Sequence, residues 1–264
     1  MKKYLVIGNP IQHSLSPKLH NHWIKKNNIN AIYEKKQLTE IDLEEIISEL
    51  REDKISGINV TIPFKVSIIP FIDELSLEAK EAYSVNTIYK ENNKILGHNT
   101  DITGFELAIK KKNYDVKGKK IFILGAGGVV SSIILALRKM KVAEITLSNR
   151  TKEKTERLKN IFSNLKIVDW GEIPEFNMII NATSLGLKKD DKINLDFSKV
   201  GKKKLFYDLI YNPEETNFLK IGKELGSITE NGKLMFIYQA QLAFEVWHGI
   251  KPKINDKVIK LLRQ

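Results

Sequence analysis

At 264 residues the chain has room for one large domain or two ordinary ones, and 42% hydrophobic with 28% charged residues marks a soluble globular protein. It has no cysteine, which excludes disulfides, zinc thiolate centres and thiol catalysis, and no apolar run nears the ~20 residues of a membrane span. The net charge of +11 does not read as a nucleic-acid surface, because only five of the 43 basic residues are arginine and no aromatics interleave with the lysine clusters.

The start, "MKKYLVIGNP", stops too early at Gly-Asn-Pro for a signal peptide and reads as a buried first strand. Cytoplasmic location, no membrane partner and a monomer or homodimer are the corresponding expectations. Histidine and methionine are too sparse for a metal cluster, and His20 and His22 are spaced wrongly to share a helix face.

In chain order, "KYLVIGN" is a strand and "SPKLHNHWIKKNN" a helix with Pro17 in its first turn. "AIYEKKQL" is a strand, "DLEEIISELRE" a helix, and "SGINVTI" a third strand whose Ile58, Val60 and Ile62 form the structural face. "KVSIIPFIDEL" predicts a broken helix, and "VNTIYKENNKILGHNT" a hairpin around Asn92-Asn93. After the helix "ITGFELAIKKKN", the run "KKIFILGAGGVVSSIILALRKM" is a strand, a glycine turn and a helix. "AEITLSNR", "NMIINAT" and "KKLFYDLIY" are further strands, with the charged helix "KEKTERLKNIF" after the first. Two helices, 233–249 and 254–264, close the chain. The expectation is an α/β protein of two domains with a cleft between them. Residues 1–101, completed by 233–264, form the substrate domain, and 102–232 a Rossmann-like doubly wound domain with a right-handed parallel sheet.

"ILGAGGVVSS" places Gly125, Gly127 and Gly128 between an apolar strand and an apolar helix. Gly125 permits the tight turn, and Gly127 lets the backbone approach a pyrophosphate at the helix N-terminus. An NAD enzyme usually has an acid at the end of the next strand. Here "SNRTKEK" offers Arg150 to clamp a 2′-phosphate, with donors from Thr151 and Lys152, so NADP is the expected cofactor.

Elsewhere "GINVTIPFK" pairs Asn59 and Thr61 off the apolar face with Lys65 just past the strand end, a pattern that looks like a pocket wall. Ser14 and Ser16 stand at a strand-to-helix turn, Asn86 in "SVNTIY", and Asp101 at a helix start. Singly, these read equally well as an N-cap, a strand edge and a helix-dipole partner.

Together, "SLSPKLHN", "NVTIPFK", "VNT", "GHNTD", "GAGG", "NRT", "NATSLG", "YDLIYNP" and the late "QAQLAFEVWHG" occur in the order of the shikimate dehydrogenase family, which the chain resembles from residue 4 to about 250. The resemblance implies reversible reduction of 3-dehydroshikimate by NADPH. It implies Lys65 as the proton-transfer residue paired with Asp101, and Ser14, Ser16 and the Tyr211 hydroxyl on the substrate carboxylate. Asn59, Thr61, Asn86, Asp101 and Gln239 would hold the ring hydroxyls and the reacting oxygen. Cofactor positions map to Gly125, Ala126, Gly127, Gly128, Val129, Asn149, Arg150, Thr151, Lys152, Thr183, Leu209 and Gly232, with no metal. The chemistry is coherent, since ketone reduction needs a proton donor at the developing alkoxide and a polyol needs many short polar groups.

Two departures stand out: Tyr83-Ser84 where the family usually has Gly-Ala, and bulky Val129-Val130 in the phosphate turn. The rival readings are a quinate/shikimate dehydrogenase using NAD and a non-catalytic nucleotide-binding protein on the same fold. The pair Ser14 and Ser16, and Arg150 without a strand-end acid, argue against the first, and intact Lys65 and Asp101 against the second.

Overall fold

A computed structural model describes residues 1–188 and 190–262, and the chain divides into two compact units. One is Met1–Gly104 with Ile237–Gln264, the other Phe105–Phe236.

The first unit runs β1 (Lys2–Gly8), α1 (Ser16–Lys26), β2 (Ala31–Gln37), α2 (Leu43–Arg51), β3 (Gly57–Val60), β4 (Glu74–Leu75), α3 (Leu77–Ala82), β5 (Thr87–Glu91) and β6 (Lys94–His98). Its sheet has the order β2-β1-β3-β5-β6-β4, with β1 parallel to β2 and β3, and antiparallel pairing at β3/β5 and β5/β6. The β5/β6 hairpin turns at Asn92 and Asn93, both with positive φ, as tight hairpin turns require. Helix α2 repeats Leu43, Ile46, Ile47 and Leu50 at one-face spacing, and all four are buried against Leu5, Ile7 and Ile58. At ~1.5–3 kcal/mol per side chain, that face supplies at most roughly 6–12 kcal/mol toward the unit.

Helix α4 (Asp101–Lys111) leads into the second unit, which continues β7 (Lys120–Leu124), α5 (Val130–Lys139), β8 (Glu144–Ser148), α6 (Lys152–Ile161), β9 (Leu165–Ile167), β10 (Met178–Asn181), β11 (Leu205–Asp208), α7 (Asn217–Glu224) and β12 (Ile228–Asn231). All its strand pairs are parallel, in the order β12-β11-β10-β7-β8-β9, the doubly wound arrangement that the alternating pattern predicts. Its core gathers Phe122, Phe176, Phe206 and Phe218 among aliphatic residues. Helices α8 (Lys233–His248) and α9 (Asp256–Leu261) end the chain, and the last two residues of the expected final helix, 263 and 264, lie outside the described residues.

Three local expectations need correction. Residues 65–75 form no α-helix: turns lead to a 3-10 turn at Ile69–Phe71 and then to β4, because Pro70 and the β-branched Val66, Ile68, Ile69 and Ile72 disfavour helix. Ile62 is 53% exposed rather than core. β3 ends at Val60, the Phe64 amide donates to the Thr61 carbonyl, and Phe64 takes the core place instead. Helices α3 and α7 and strands β9 and β12 are additional elements.

Candidate active site

In the first unit, two of the expected residues, Lys65 and Asp101, form a buried ion pair. Lys65 Nζ lies 2.6 Å from Asp101 Oδ2, with the two residues only 9% and 4% exposed. Lys65 is held from behind by its carbonyl, which accepts from the Val85 amide at 2.8 Å. Asp101 opens α4 without having to cap it. The Asn99 side-chain oxygen accepts from the Asp101 and Ile102 amides, so the Asp101 carboxylate is left for the lysine. One oxygen, Oδ2, takes the lysine.

Beside this pair runs a buried polar network. The Tyr33 hydroxyl donates to Asn59 Oδ1 at 2.7 Å, and Asn59 Nδ2 donates to the Asn86 carbonyl and to Thr87 Oγ1. Both amide protons of Asn59 are thus committed, and a ligand hydroxyl would find only acceptor capacity on it. Asn86 Oδ1 accepts from the Thr100 amide at 2.8 Å and from the Thr87 hydroxyl at 3.0 Å, while its Nδ2 donates to Thr100 Oγ1. That leaves Asn86 one amide proton beyond these bonds. Sheet register explains the meeting, because Asn59 on β3 stands opposite Thr87 on β5.

Ser14 and Ser16 meet at the β1–α1 connection, where Ser14 Oγ accepts from the Ser16 amide at 3.3 Å. α1 starts from Leu15 without any side-chain cap, so the N-cap reading of Ser16 does not apply. The Thr61 amide donates to the Ile7 carbonyl, which fixes that residue to the end of β1. Gln239 on α8 packs against Gly104 in the first turn of α4. Tyr211 belongs to the second unit and stacks on Phe236, with ring centroids 4.4 Å apart. Tyr33, Thr87, Asn99 and Thr100 escape sequence reasoning, although "VNT" and "GHNTD" contain three of the four.

In the second unit, the candidates line the carboxyl ends of the parallel strands. Gly125 follows β7 with φ of +112°, and a Cβ there would fall 2.8 Å from the Ala182 carbonyl oxygen, so only glycine fits. The space where a side chain at 127 would stand is open. Val129 is the N-cap residue of α5 and only partly buried, and Val130 is fully buried inside the helix, so of the bulky pair only Val130 turns inward. Asn149 Nδ2 donates to the Thr151 carbonyl, which shapes the loop after β8. Arg150 and Thr151 are exposed, and Lys152 makes an exposed 3.3 Å ion pair with Asp169 that contributes little. Ser148 ends β8 with no acid beside it. An open glycine turn at a helix start and an exposed arginine past the next strand fit a dinucleotide bearing a 2′-phosphate.

At the next strand ends, Thr183 donates through its amide and hydroxyl to Asn181 Oδ1, the Leu209 amide donates to the Asn181 carbonyl, and Gly232 packs on Leu209. Asn181 Nδ2 in turn donates to Asp208, a fully buried carboxylate that burial raises from 3.8 to about 6. Among the described residues, no cluster of side chains could hold a metal ion, and no helix is long and apolar enough to cross a membrane.

The doubly wound unit with its glycine turn, together with a second α/β unit carrying a buried lysine–carboxylate pair, defines a dinucleotide-binding protein of the dehydrogenase class. Residues 6–88 match the shikimate dehydrogenase substrate-binding domain, and residues 106–209 match the shikimate/quinate 5-dehydrogenase domain. The NADP+ shikimate dehydrogenase of Pelagibacter ubique is 59% identical over 99% of this chain and 98% of its own length. Among solved structures, shikimate dehydrogenase from Aquifex aeolicus superposes with a TM-score of 0.92 at 37% identity, covering 100% of this chain and 98% of that one. The Thermus thermophilus shikimate 5-dehydrogenase, solved with NADP(H) and shikimate, gives 0.89 at 29% identity over 99% of this chain and 100% of that one. The chain belongs to the shikimate dehydrogenase family.

Proposed function

We propose that the chain catalyses the reversible oxidation of shikimate to 3-dehydroshikimate with NADP+, with Lys65 moving the proton and Asp101 positioning it. The observation that carries this reading is the buried Lys65–Asp101 pair at 2.6 Å. NADP supplies hydride transfer when bound. The protein's own part is to hold the reacting hydroxyl at Lys65 Nζ, which takes its proton during oxidation and returns it during reduction. As an ammonium, Lys65 stabilises the developing alkoxide in a site from which most water is excluded. The second oxygen of Asp101 accepts from a neighbouring substrate hydroxyl.

Ser14, Ser16 and Tyr211 take the carboxylate, while Thr61, Asn86 and Gln239 take ring hydroxyls, with Asn59 contributing an acceptor. On the cofactor, Gly125 to Val129 receive the pyrophosphate at the start of α5, and Asn149 to Lys152 surround the 2′-phosphate. Thr183, Leu209 and Gly232 support its nicotinamide half. Support for these assignments comes from motif order, the commitments of Asn59 and Asn86, and the exposed Arg150. Initial rates for shikimate and quinate, each with NADP+ and NAD+, test the reading. Shikimate with NADP+ should be fastest, and faster quinate oxidation with NAD+ would overturn it.

A further inference from the structure

We infer that Asp208 is a positioning residue for cofactor binding, because it ties together the chain segments that follow β10 and β11. Its side chain is an acceptor for three separate donors. Oδ1 accepts from Asn181 Nδ2 and the Ile210 amide, both at 3.0 Å, and Oδ2 accepts from the Thr216 hydroxyl at 2.6 Å. Each donor belongs to a different piece of the carboxyl edge of the sheet.

Asn181 ends β10 and passes the constraint onward. Its Nδ2 also donates to the Leu185 carbonyl, and its Oδ1 receives Thr183. Ile210 lies in the segment after β11, between Leu209 and Tyr211, and its carbonyl receives the Gly232 amide at 3.1 Å. A Cβ at 232 would stand 2.1 Å from the Leu209 carbonyl oxygen, so that approach also depends on glycine. Thr216 is the N-cap of α7, where its oxygen accepts from the Leu219 amide. Thr183, Leu209 and Gly232, all cofactor positions in the proposed function, therefore hang from one carboxylate. The inference rests on that proposed function.

A carboxylate meets all three donors at once. The Thr216 hydroxyl donates to Asp208 while its own oxygen accepts from the Leu219 amide. An amide in place of the carboxylate would keep one acceptor and turn a donor toward either Thr216 or the Asn181 and Ile210 donors, so that at least one of the three bonds is lost or reversed. Among its described hydrogen-bond partners none is charged, and burial holds its carboxyl near 6. A buried carboxylate kept without a cation lowers stability, and such a group is more readily explained by function than by folding.

The test uses the full chain and two variants, Asp208→Asn and Asp208→Ala, with NADP+ and shikimate binding measured separately by calorimetry alongside thermal melting. Asp208→Asn should weaken NADP+ binding about tenfold or more, weaken shikimate binding by a clearly smaller factor because only Tyr211 among its proposed contacts adjoins the tethered segment, and melt close to wild type. Asp208→Ala should weaken NADP+ binding further. Unchanged NADP+ affinity in Asp208→Asn would overturn the inference. So would parallel losses of both affinities with a lowered melting temperature, which is the mark of a purely structural residue. A wild-type chain that binds no NADP+ would instead sink the cofactor assignment, and this inference with it.

Discussion

Replacing Lys65 with alanine should lower kcat for shikimate oxidation about a thousandfold, equivalent to ~4 kcal/mol of transition-state stabilisation. At 2.6 Å and an effective dielectric constant of ~20, the attraction between Lys65 and Asp101 is about 6 kcal/mol, most of it offset by the desolvation of two buried charges. Deleting the lysine alone strands a buried carboxylate and should cost ~3–5 kcal/mol of stability. A loss of turnover could therefore reflect unfolding. The double variant Lys65→Met, Asp101→Asn separates the two effects, since it is neutral and nearly isosteric. It should recover most of the lost melting temperature and none of the lost turnover. The assay is NADPH formation at saturating shikimate and NADP+, with melting curves and shikimate binding measured on the same preparations. A folded Lys65→Ala with kcat within about threefold of wild type would refute the role assigned to Lys65.

Arg150→Gln should raise KM for NADP+ by about 10- to 100-fold, the value of a charge-assisted contact, and leave KM for NAD+ nearly unchanged. Equal effects on both cofactors would remove Arg150 from the 2′-phosphate. His20 is fully buried among Tyr33, Trp23, Phe244 and Trp247, and burial, helped by the nearby His248, lowers its imidazole to about 3. Because the folded value lies below the unfolded 6.5, stability is fully present above pH 6.5 and falls as the pH drops toward 3, by roughly 5 kcal/mol in all. Urea midpoints at pH 7 and 4.5 should fall steeply for wild type and much less for His20→Phe, whereas parallel declines would contradict this account. Tyr83 ends α3 with φ of +46° and is half exposed, so Tyr83→Gly should stabilise the chain by ~0.5–1 kcal/mol in the same melts. A lower midpoint would show that its ring packing outweighs the strain.

What the sequence disclosed and what it concealed follow the same physical division. Local signals carried far: the continuous apolar run of "KYLVIGN", the spacing of Leu43, Ile46, Ile47 and Leu50, and the glycine turn before an apolar helix all became the expected elements. Short elements did not show, because three residues in β9 and four in β12 leave no period to detect. The Ile62 error has a similar origin, since alternation cannot reveal where a strand ends and Phe64 replaces it in the core. Tyr83-Ser84 becomes intelligible only through its dihedral, a left-handed helix end where glycine would be at ease.

The site was legible as residues and illegible as a network. Lys65 and Asp101 could be paired by motif order, although they stand 36 positions apart. The commitment of Asn59 to Tyr33 and Thr87, and the grip of Asp208 on Asn181 and Thr216, depend on sheet register across strands. In the sequence, Asp208 is only a polar residue in "YDLIY", and His20 only part of a polar-looking helix start. Their burial is a tertiary fact, and so are the consequences drawn from it.

The central claim is that this chain interconverts shikimate and 3-dehydroshikimate with NADP as the hydride carrier. The most direct measurement incubates the purified chain with 3-dehydroshikimate and NADPH, follows NADPH loss, and identifies the product by NMR. Stoichiometric formation of shikimate, abolished in Lys65→Ala, is the result the account predicts. NADPH consumption at the background rate, or a product other than shikimate, would contradict it.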